Sequence, residues 1–341
     1  MSQNRNTPLP QFEEIYGLDP VSLGCYKKIT PPAILVTGAQ GMLGNGLATA
    51  LDKLVKLGKL NSQQLIFASR NWSSESIKKW EKNPHCKLIH NEEIARISHK
   101  IDLVIHTASP SNVTQIKSFN DLEKTNVGML KILQKLDPTR VVFISSGEVY
   151  GGKATNEQEI LSKFTKTNLR DWYPLSKIAA ETELIRFAQS YDREAYIIRL
   201  FHTFGPGVKI DDGRSFADIL WGAAKNREIV LKSQGQQLRT FLYLSDAVNG
   251  ILSVSLSAAN RFKIVNLGSP KPISVLEFAQ LTAQLTESTI SIEPQSDFHH
   301  SPNKVIIPTI ENLTSMGWNA SVELSEGIQR TVAWIRKTPK S

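Results

Sequence analysis

The chain has 341 residues, 40% hydrophobic and 21% charged, proportions that exclude wholesale disorder and leave room for one large domain or two modest ones. Lys and Arg number 40 against 32 Asp and Glu, a formal charge of +8 that is compatible with three anionic partners, nucleic acid, a membrane surface or a phosphorylated small molecule, and does not choose among them. Cys25 and Cys86 form neither a disulfide framework nor a zinc spacing, no apolar run approaches the ~18 residues of a membrane span, and residues 1–10 lack a signal-peptide core, so a cytoplasmic protein without a metal is expected.

Residues 1–32 mix five prolines with Phe12, Ile15, Tyr16 and Leu18 and predict an N-terminal extension packed on the main body. From residue 33 the text alternates. A short apolar run at 33–37 reads as a strand buried on both faces, followed by a helix at 42–56. Strands at 65–68, 103–106, 141–145 and 197–201 are separated by helical patterns at 127–136 and 174–190. This rhythm predicts an α/β fold with a Rossmann-type doubly wound parallel sheet. After residue 205 it loosens: a helix at 216–224, strands at 241–244 and 264–267 that rejoin the sheet, and a helix at 325–337 with Ile328, Val332 and Ile335 on one face. The predicted division is 33–205 plus 240–270 for a dinucleotide-binding domain and 206–239 plus 271–341 for a smaller discontinuous lobe.

The first strand runs into Gly38-Ala39-Gln40-Gly41-Met42-Leu43-Gly44. At a strand-to-helix junction this spacing suits a pyrophosphate: Gly38 permits the turn, Gly41 the close approach, Gly44 the packing of helix on strand, and the helix start offers free N–H groups. The second strand ends in Ser69 and Arg70 with no carboxylate, which favours the 2′-phosphate of NADP over the free ribose of NAD. Tyr173 and Lys177 stand four apart on a helix, where an ammonium would lower the phenol pKa, and Ser146 ends a strand where open α/β sheets place their ligands.

Glycine turn, strand-end serine and Tyr–Lys pair, in this order, resemble the extended branch of the short-chain dehydrogenase/reductase superfamily, which holds nucleotide-sugar epimerases, 4,6-dehydratases and decarboxylases. Further matches are Thr107-Ala108-Ser109 after the fourth strand, Asn126-Val127-Gly128, the stretch from Arg199 through His202 to Gly207, Arg239-Thr240-Phe241, Asn266-Leu267-Gly268 and Met316-Gly317-Trp318. The stretch Phe204 to Val208 and the following Asp211-Asp212-Gly213-Arg214 suggest surface-polysaccharide sugar pathways. The resemblance implies Tyr173 as acid/base, Lys177 as its partner and ribose anchor, Ser146 as the orienting hydroxyl, and Arg239 on the nucleotide diphosphate. It implies NAD(P) at Gly38, Gln40, Gly41, Met42, Gly44, Ser69, Arg70, Asn91, Thr107, Ala108, Ser109, Asn126 and Lys177, with Asn91 in place of an adenine-contacting aspartate. It also implies a homodimer through the helices at 126–136 and 174–190.

The reaction would pass through a bound 4-ketose. Glu148 matches the family's base, but Gly147 stands where dehydratases carry an acid, so 4-epimerisation leads, with decarboxylation and dehydration as alternatives. His202 replaces the usual asparagine and is read either as a satisfied strand-end histidine or as a phosphate donor when protonated. Asp246 is expected to cap a helix, and Lys304 to Thr309 depart from the family's arginine and PD. A non-catalytic dinucleotide-binding scaffold is the alternative from another class. Nucleic-acid binding is disfavoured by the lack of a basic run with interleaved aromatics.

Overall fold

The computed structural model describes residues 11–16, 31–109, 118–151, 164–166, 168, 171–257, 262–293, 305 and 307–338. A short helix α1 (Phe12–Tyr16) precedes β1 (Ala33–Thr37), α2 (Met42–Lys56), β2 (Gln64–Ser69), α3 (Ser74–Trp80), β3 (Cys86–His90) and β4 (Leu103–His106). Then come α4 (Phe119–Glu123), α5 (Met129–Gln134), β5 (Arg140–Ser146), α6 (Trp172–Tyr191), β6 (Glu194–Leu200) and β7 (Thr203–Phe204). The remainder is α7 (Ser215–Lys225), β8 (Glu228–Leu231), β9 (Leu238–Thr240), β10 (Leu242–Tyr243), α8 (Leu244–Ser255), β11 (Phe262–Leu267), β12 (Pro272–Ser274), α9 (Val275–Thr286), β13 (Thr289–Ile292), α10 (Glu311–Ser315) and α11 (Leu324–Lys337).

Seven strands form one parallel sheet in the order β11-β6-β5-β4-β1-β2-β3. The order reverses at β1, whose neighbours are β2 and β4, and there an open α/β sheet leaves a crevice at its carboxyl edge. Strand β1 is apolar throughout because both faces are covered. Ile34 and Val36 enter a core with Leu47 and Leu51 of α2 and Ala247 and Ile251 of α8. Leu35 enters a second core with Leu130 of α5 and Leu184 of α6.

A third core gathers Phe216 and Leu220 of α7, Ile229 of β8, Phe278 of α9, and Ile328 and Val332 of α11. This is the smaller lobe, edged by the parallel pair β13–β8 and the antiparallel pair β12–β9. Leu313 of α10 and Trp318 pack into the first core instead, with α2 and α8.

The expected strand at 264–267 joins the sheet, as β11 beside β6. The strand expected at 241–244 does not. It shortens to β10 and pairs with β7, because Leu242 N–H donates to His202 O while the Phe241 ring turns into the lobe core, 4.3 Å from Phe278. The helix expected at 127–136 begins earlier and contains a π-helical turn over Lys124–Gly128, which places Asn126 in the widened turn. Residues 12–16 pack on the body: Ile15 and Tyr16 are buried, and Tyr243 Oη donates to Glu14 O at 3.1 Å. Cys86 is a half-buried free thiol, pushed up to about 12 by burial; Cys25 lies outside the described residues.

Candidate active site

The turn after β1 is built from close backbone contacts. Gly38 has φ +72°, and a Cβ there would fall 2.8 Å from Ala108 N and from Thr107 Oγ1, so the loops after β1 and β4 touch across the crevice. Thr107 Oγ1 donates to Thr37 O at 2.7 Å and fixes the same junction. Gly41 N–H donates to Gly38 O at 2.9 Å. At Gly44 a Cβ would lie 2.2 Å from Gly38 O, so only glycine lets α2 start so close to the turn. Helix α2 has no side-chain cap and no acidic residue in its first turn, leaving its positive end open to an anion.

The flanking residues brace this loop. Gln40 Nε2 donates to Ser73 Oγ at 3.2 Å and Gln40 Oε1 accepts from Ser76 Oγ at 2.6 Å, so its side chain ties the turn to α3. Met42 lies under Gly207, at the join with the lobe. Ser69 is buried at the end of β2, Arg70 beside it is exposed, and Arg70 O accepts from His90 Nδ1 at 3.1 Å. Asn91 follows β3, and its Oδ1 is buried with no partner. An unpartnered acceptor, an uncapped helix start and a cradle with no room for a Cβ fit a dinucleotide.

Across the crevice, α6 grips the end of β5. Lys177, buried, donates from Nζ to Ile144 O at 2.9 Å, and its ammonium lies 5.8 Å from the centre of the Tyr173 ring. Burial draws the ammonium down to about 7, against the pull of Glu181. Tyr173 contradicts the expectation of a lowered phenol: burial raises it, while the hydroxyls of Ser146 and Ser109 and the charge of Arg214 oppose that rise. The lysine lies along the ring, and its ammonium donates to the Ile144 carbonyl. Ser109, expected as a cofactor contact, acts on the phenol, and its Oγ is buried without a hydrogen-bond partner. Ser146 Oγ accepts from Glu148 N–H at 3.2 Å, which orients the serine.

Asn126 is fully buried; its Nδ2 donates to Ser176 Oγ at 2.9 Å, and Ser176 Oγ donates to Tyr173 O at 2.8 Å. The side-chain donor thus holds the tyrosine's helix, while Oδ1 is buried without a partner. Gly147 packs under Phe201: a Cβ would lie 2.7 Å from that ring, so the position where a dehydratase carries its acid is filled from the other side.

The Glu148 carboxylate acts on both the Tyr173 phenol and the Arg239 guanidinium. Arg239, on β9, is buried, and its Nη1 donates to Leu238 O at 2.7 Å. His202 sits edge-on to Phe241 with its Nδ1 buried and unpartnered. Burial and the charges of Arg239 and Arg214 draw its ring down to about 3, so beside these two cations the imidazole rests neutral. Asp246 does not cap α8. Its carboxylate accepts from Ser321 N–H, Ser321 Oγ and Val322 N–H at 2.8–3.1 Å and pins the chain entering α11. Lys304 lies outside the described residues.

The motif reading missed the role of Arg214. It is held by Asp212 through Nη2 at 2.7 Å across Gly213, and its charge reaches both the Tyr173 phenol and His202. An Asp-Gly-Arg turn with a left-handed glycine, φ +84°, is the local signal for such a fixed guanidinium.

Residues 34–268 match the model of the NAD dependent epimerase/dehydratase family. The chain belongs to that family. Among the curated relatives of this epimerase/dehydratase are UDP-glucuronic acid decarboxylase 1 of Xenopus tropicalis, 29% identical over 89% of this chain and 72% of that protein, and UDP-glucuronic acid decarboxylase 3 of Arabidopsis thaliana, 28% identical over 86% of each. Its fold is shared with the UDP-glucuronic acid 4-epimerase of Bacillus cereus, whose structure holds UDP-glucuronic acid and NAD. That match has a TM-score of 0.76 and 19% identity and covers 89% of this chain and 99% of that one. No helix of the described residues of this epimerase/dehydratase is long and apolar enough to cross a membrane.

Proposed function

We propose that the protein is an NAD-dependent nucleotide-sugar 4-epimerase working through a transient 4-keto sugar, with UDP-glucuronate the first substrate to test. One observation carries the reading: at the carboxyl edge of the sheet the Tyr173 phenol is acted on by the hydroxyls of Ser146 and Ser109, and Lys177, anchored on Ile144 O, lies along its ring. Bound at the crevice, NAD supplies acceptance and return of a hydride. The glycine turn, the α2 N-terminus and Asn91 hold it. Tyr173 takes the C4 hydroxyl proton and later returns it; Ser146 orients the sugar oxygen, and Lys177 stabilises the phenolate. Arg239 pairs with the diphosphate as a fork of donors, and His202 offers a neutral ring N–H or acceptor beside it. Glu148 and Arg214 frame the sugar.

Decarboxylation is the second reading. The relatives named above are UDP-glucuronic acid decarboxylases, and a fixed guanidinium acting on Tyr173 suits a substrate carboxylate near C5. A β-keto acid formed by oxidation at C4 loses carbon dioxide with little further acid–base help. Dehydration has no acid at Gly147. The uncharged strand end at Ser69, with Arg70 outside it, supports acceptance of NADP as well as NAD. The exposed sides of the helices at 126–136 and 174–190 are the surface we assign to a homodimer, checked by light scattering during gel filtration.

The test is incubation with a panel of nucleotide sugars, read by mass spectrometry and NMR. An unchanged mass with inverted C4 stereochemistry supports the epimerase. Loss of carbon dioxide selects the decarboxylase, and loss of water overturns both. Bound cofactor with no change to any sugar would revive the scaffold alternative.

A further inference from the structure

Helix α6 holds β5 at consecutive residues. Lys177 donates to Ile144 O at 2.9 Å and Glu181 Oε1 accepts from Ser145 Oγ at 2.5 Å. Lys177 and Glu181 stand one turn apart on one helix face, each 2% exposed. Behind Glu181 lies Arg199, which is 1% exposed, donating to it from Nη2 at 2.7 Å and from Nε at 3.2 Å. Arg199 Nη1 donates to Tyr150 Oη at 3.0 Å, Tyr150 Oη donates to Asn266 Oδ1 at 2.8 Å, and Asn266 Nδ2 donates to Thr309 O at 3.1 Å. Two charges, Glu181 and Arg199, and three polar side chains, Ser145, Tyr150 and Asn266, are thus buried directly behind the reacting groups.

A buried ion pair is weak evidence for stability, because desolvation offsets its attraction. Its placement here has another use. The groups facing the Lys177 ammonium are the Tyr173 phenol from its own helix, the Ile144 carbonyl and Phe143 ring of β5, and His106 of β4, whose imidazole burial keeps neutral. Among the described residues, the anion acting on the ammonium is Glu181.

We propose that Glu181 is a positioning residue for catalysis: one turn along α6 from Lys177 on the same buried face, and fixed by Arg199 and Ser145, it places a carboxylate behind the lysine and holds the strand end that presents Ser146. This rests on the reading of Lys177 as the partner of Tyr173, but its test does not require a known substrate. Burial already draws Lys177 down to about 7, and Glu181 opposes that fall, so removing its charge moves the lysine further down.

The experiment is an NMR titration of the full-length protein labelled with 13C-lysine, the Lys177 signal identified by its absence in Lys177→Met. The expected result is a wild-type midpoint near neutrality and, in Glu181→Gln, a midpoint lower by roughly one pH unit. Tyr150→Phe, which breaks the link to Asn266 and leaves both charges, should titrate as wild type. A folded Glu181→Gln with an unmoved midpoint overturns the proposal, as does an equal shift in Tyr150→Phe, which would assign the effect to packing. Should Glu181→Gln fail to fold with Arg199 left unpaired, Glu181→Gln/Arg199→Met carries the same readout. Once a substrate is known, the alkaline limb of kcat/KM should move with the lysine. A missing NMR shift defeats this inference alone, and missing turnover defeats the enzyme reading alone.

Discussion

Replacing Gly44 by alanine tests the dinucleotide cradle. The added Cβ would lie 2.2 Å from Gly38 O, 2.7 Å from Gly38 C and 2.8 Å from Ala39 Cα, all of them backbone atoms. Non-bonded carbon contacts settle near ~3.5 Å, so the turn or the start of α2 must move by about 1 Å. Overpacking of this kind costs about 1–3 kcal/mol. Gly38 is also wedged against Ala108 N and Thr107 Oγ1, so the strain falls on the groups that would face a pyrophosphate. Expressed in binding, that cost corresponds to roughly 5-fold to 150-fold weaker NAD affinity by calorimetry. Gly46→Ala is the control: its Cβ would meet Val248 Cγ2 at 2.9 Å and Leu244 Cδ1 at 3.5 Å, side-chain atoms of the α2–α8 contact remote from the turn. It should lower thermal stability and leave NAD affinity near wild type. Gly44→Ala binding NAD as tightly as wild type, or Gly46→Ala weakening it equally, would refute the assignment of this turn to the cofactor.

Two further outcomes follow from the same site. His106 is fully buried, its Nδ1 2.6 Å from Thr37 Oγ1, and burial draws it from 6.5 to about 3. Its folded value lies below its unfolded one, so its stabilising effect is full above pH 6.5 and is lost as pH falls toward 3, because the unfolded chain takes up a proton that the fold refuses. Urea unfolding at pH 5 and pH 7 should show about 2 kcal/mol of this loss in the wild type. His106→Asn should lack that part of the slope, and an identical pH dependence in both proteins would contradict it. Arg70→Ala should weaken NADP roughly 10-fold by loss of a charge-assisted contact and leave NAD unchanged; equal effects on the two cofactors would remove Arg70 from the 2′-phosphate.

Much of this was legible in one dimension because it is local. The turn from Gly38 to Gly44 is a strand, three glycines and a helix in sequence, and α2 occupies the residues its apolar period marks out. Tyr173 and Lys177 share a helix face by spacing alone. What escaped depends on distant partners. Phe241 is a strand residue by composition, but Phe278 and Phe216 draw its ring into the lobe and turn the backbone away from the sheet. Asp246 has the composition of a helix cap, yet Ser321 and Val322, more than seventy residues on, claim its carboxylate. The direction of the Tyr173 shift depends on burial by the assembled crevice, which outweighs a neighbouring charge whose hydrogen bond goes elsewhere. Arg214 acts on the Tyr173 phenol only once the fold has brought the two together.

The central claim is that Tyr173 moves the proton while the sheet edge holds NAD beside it. It is tested most directly by Tyr173→Phe with the nucleotide sugar that the panel identifies. Product formation is followed by NMR and NAD affinity by calorimetry on the same samples. The account predicts NAD affinity within twofold of wild type and turnover reduced by roughly 10²-fold to 10⁴-fold, the usual worth of a positioned acid/base. Turnover retained in Tyr173→Phe, with NAD still bound, would contradict it.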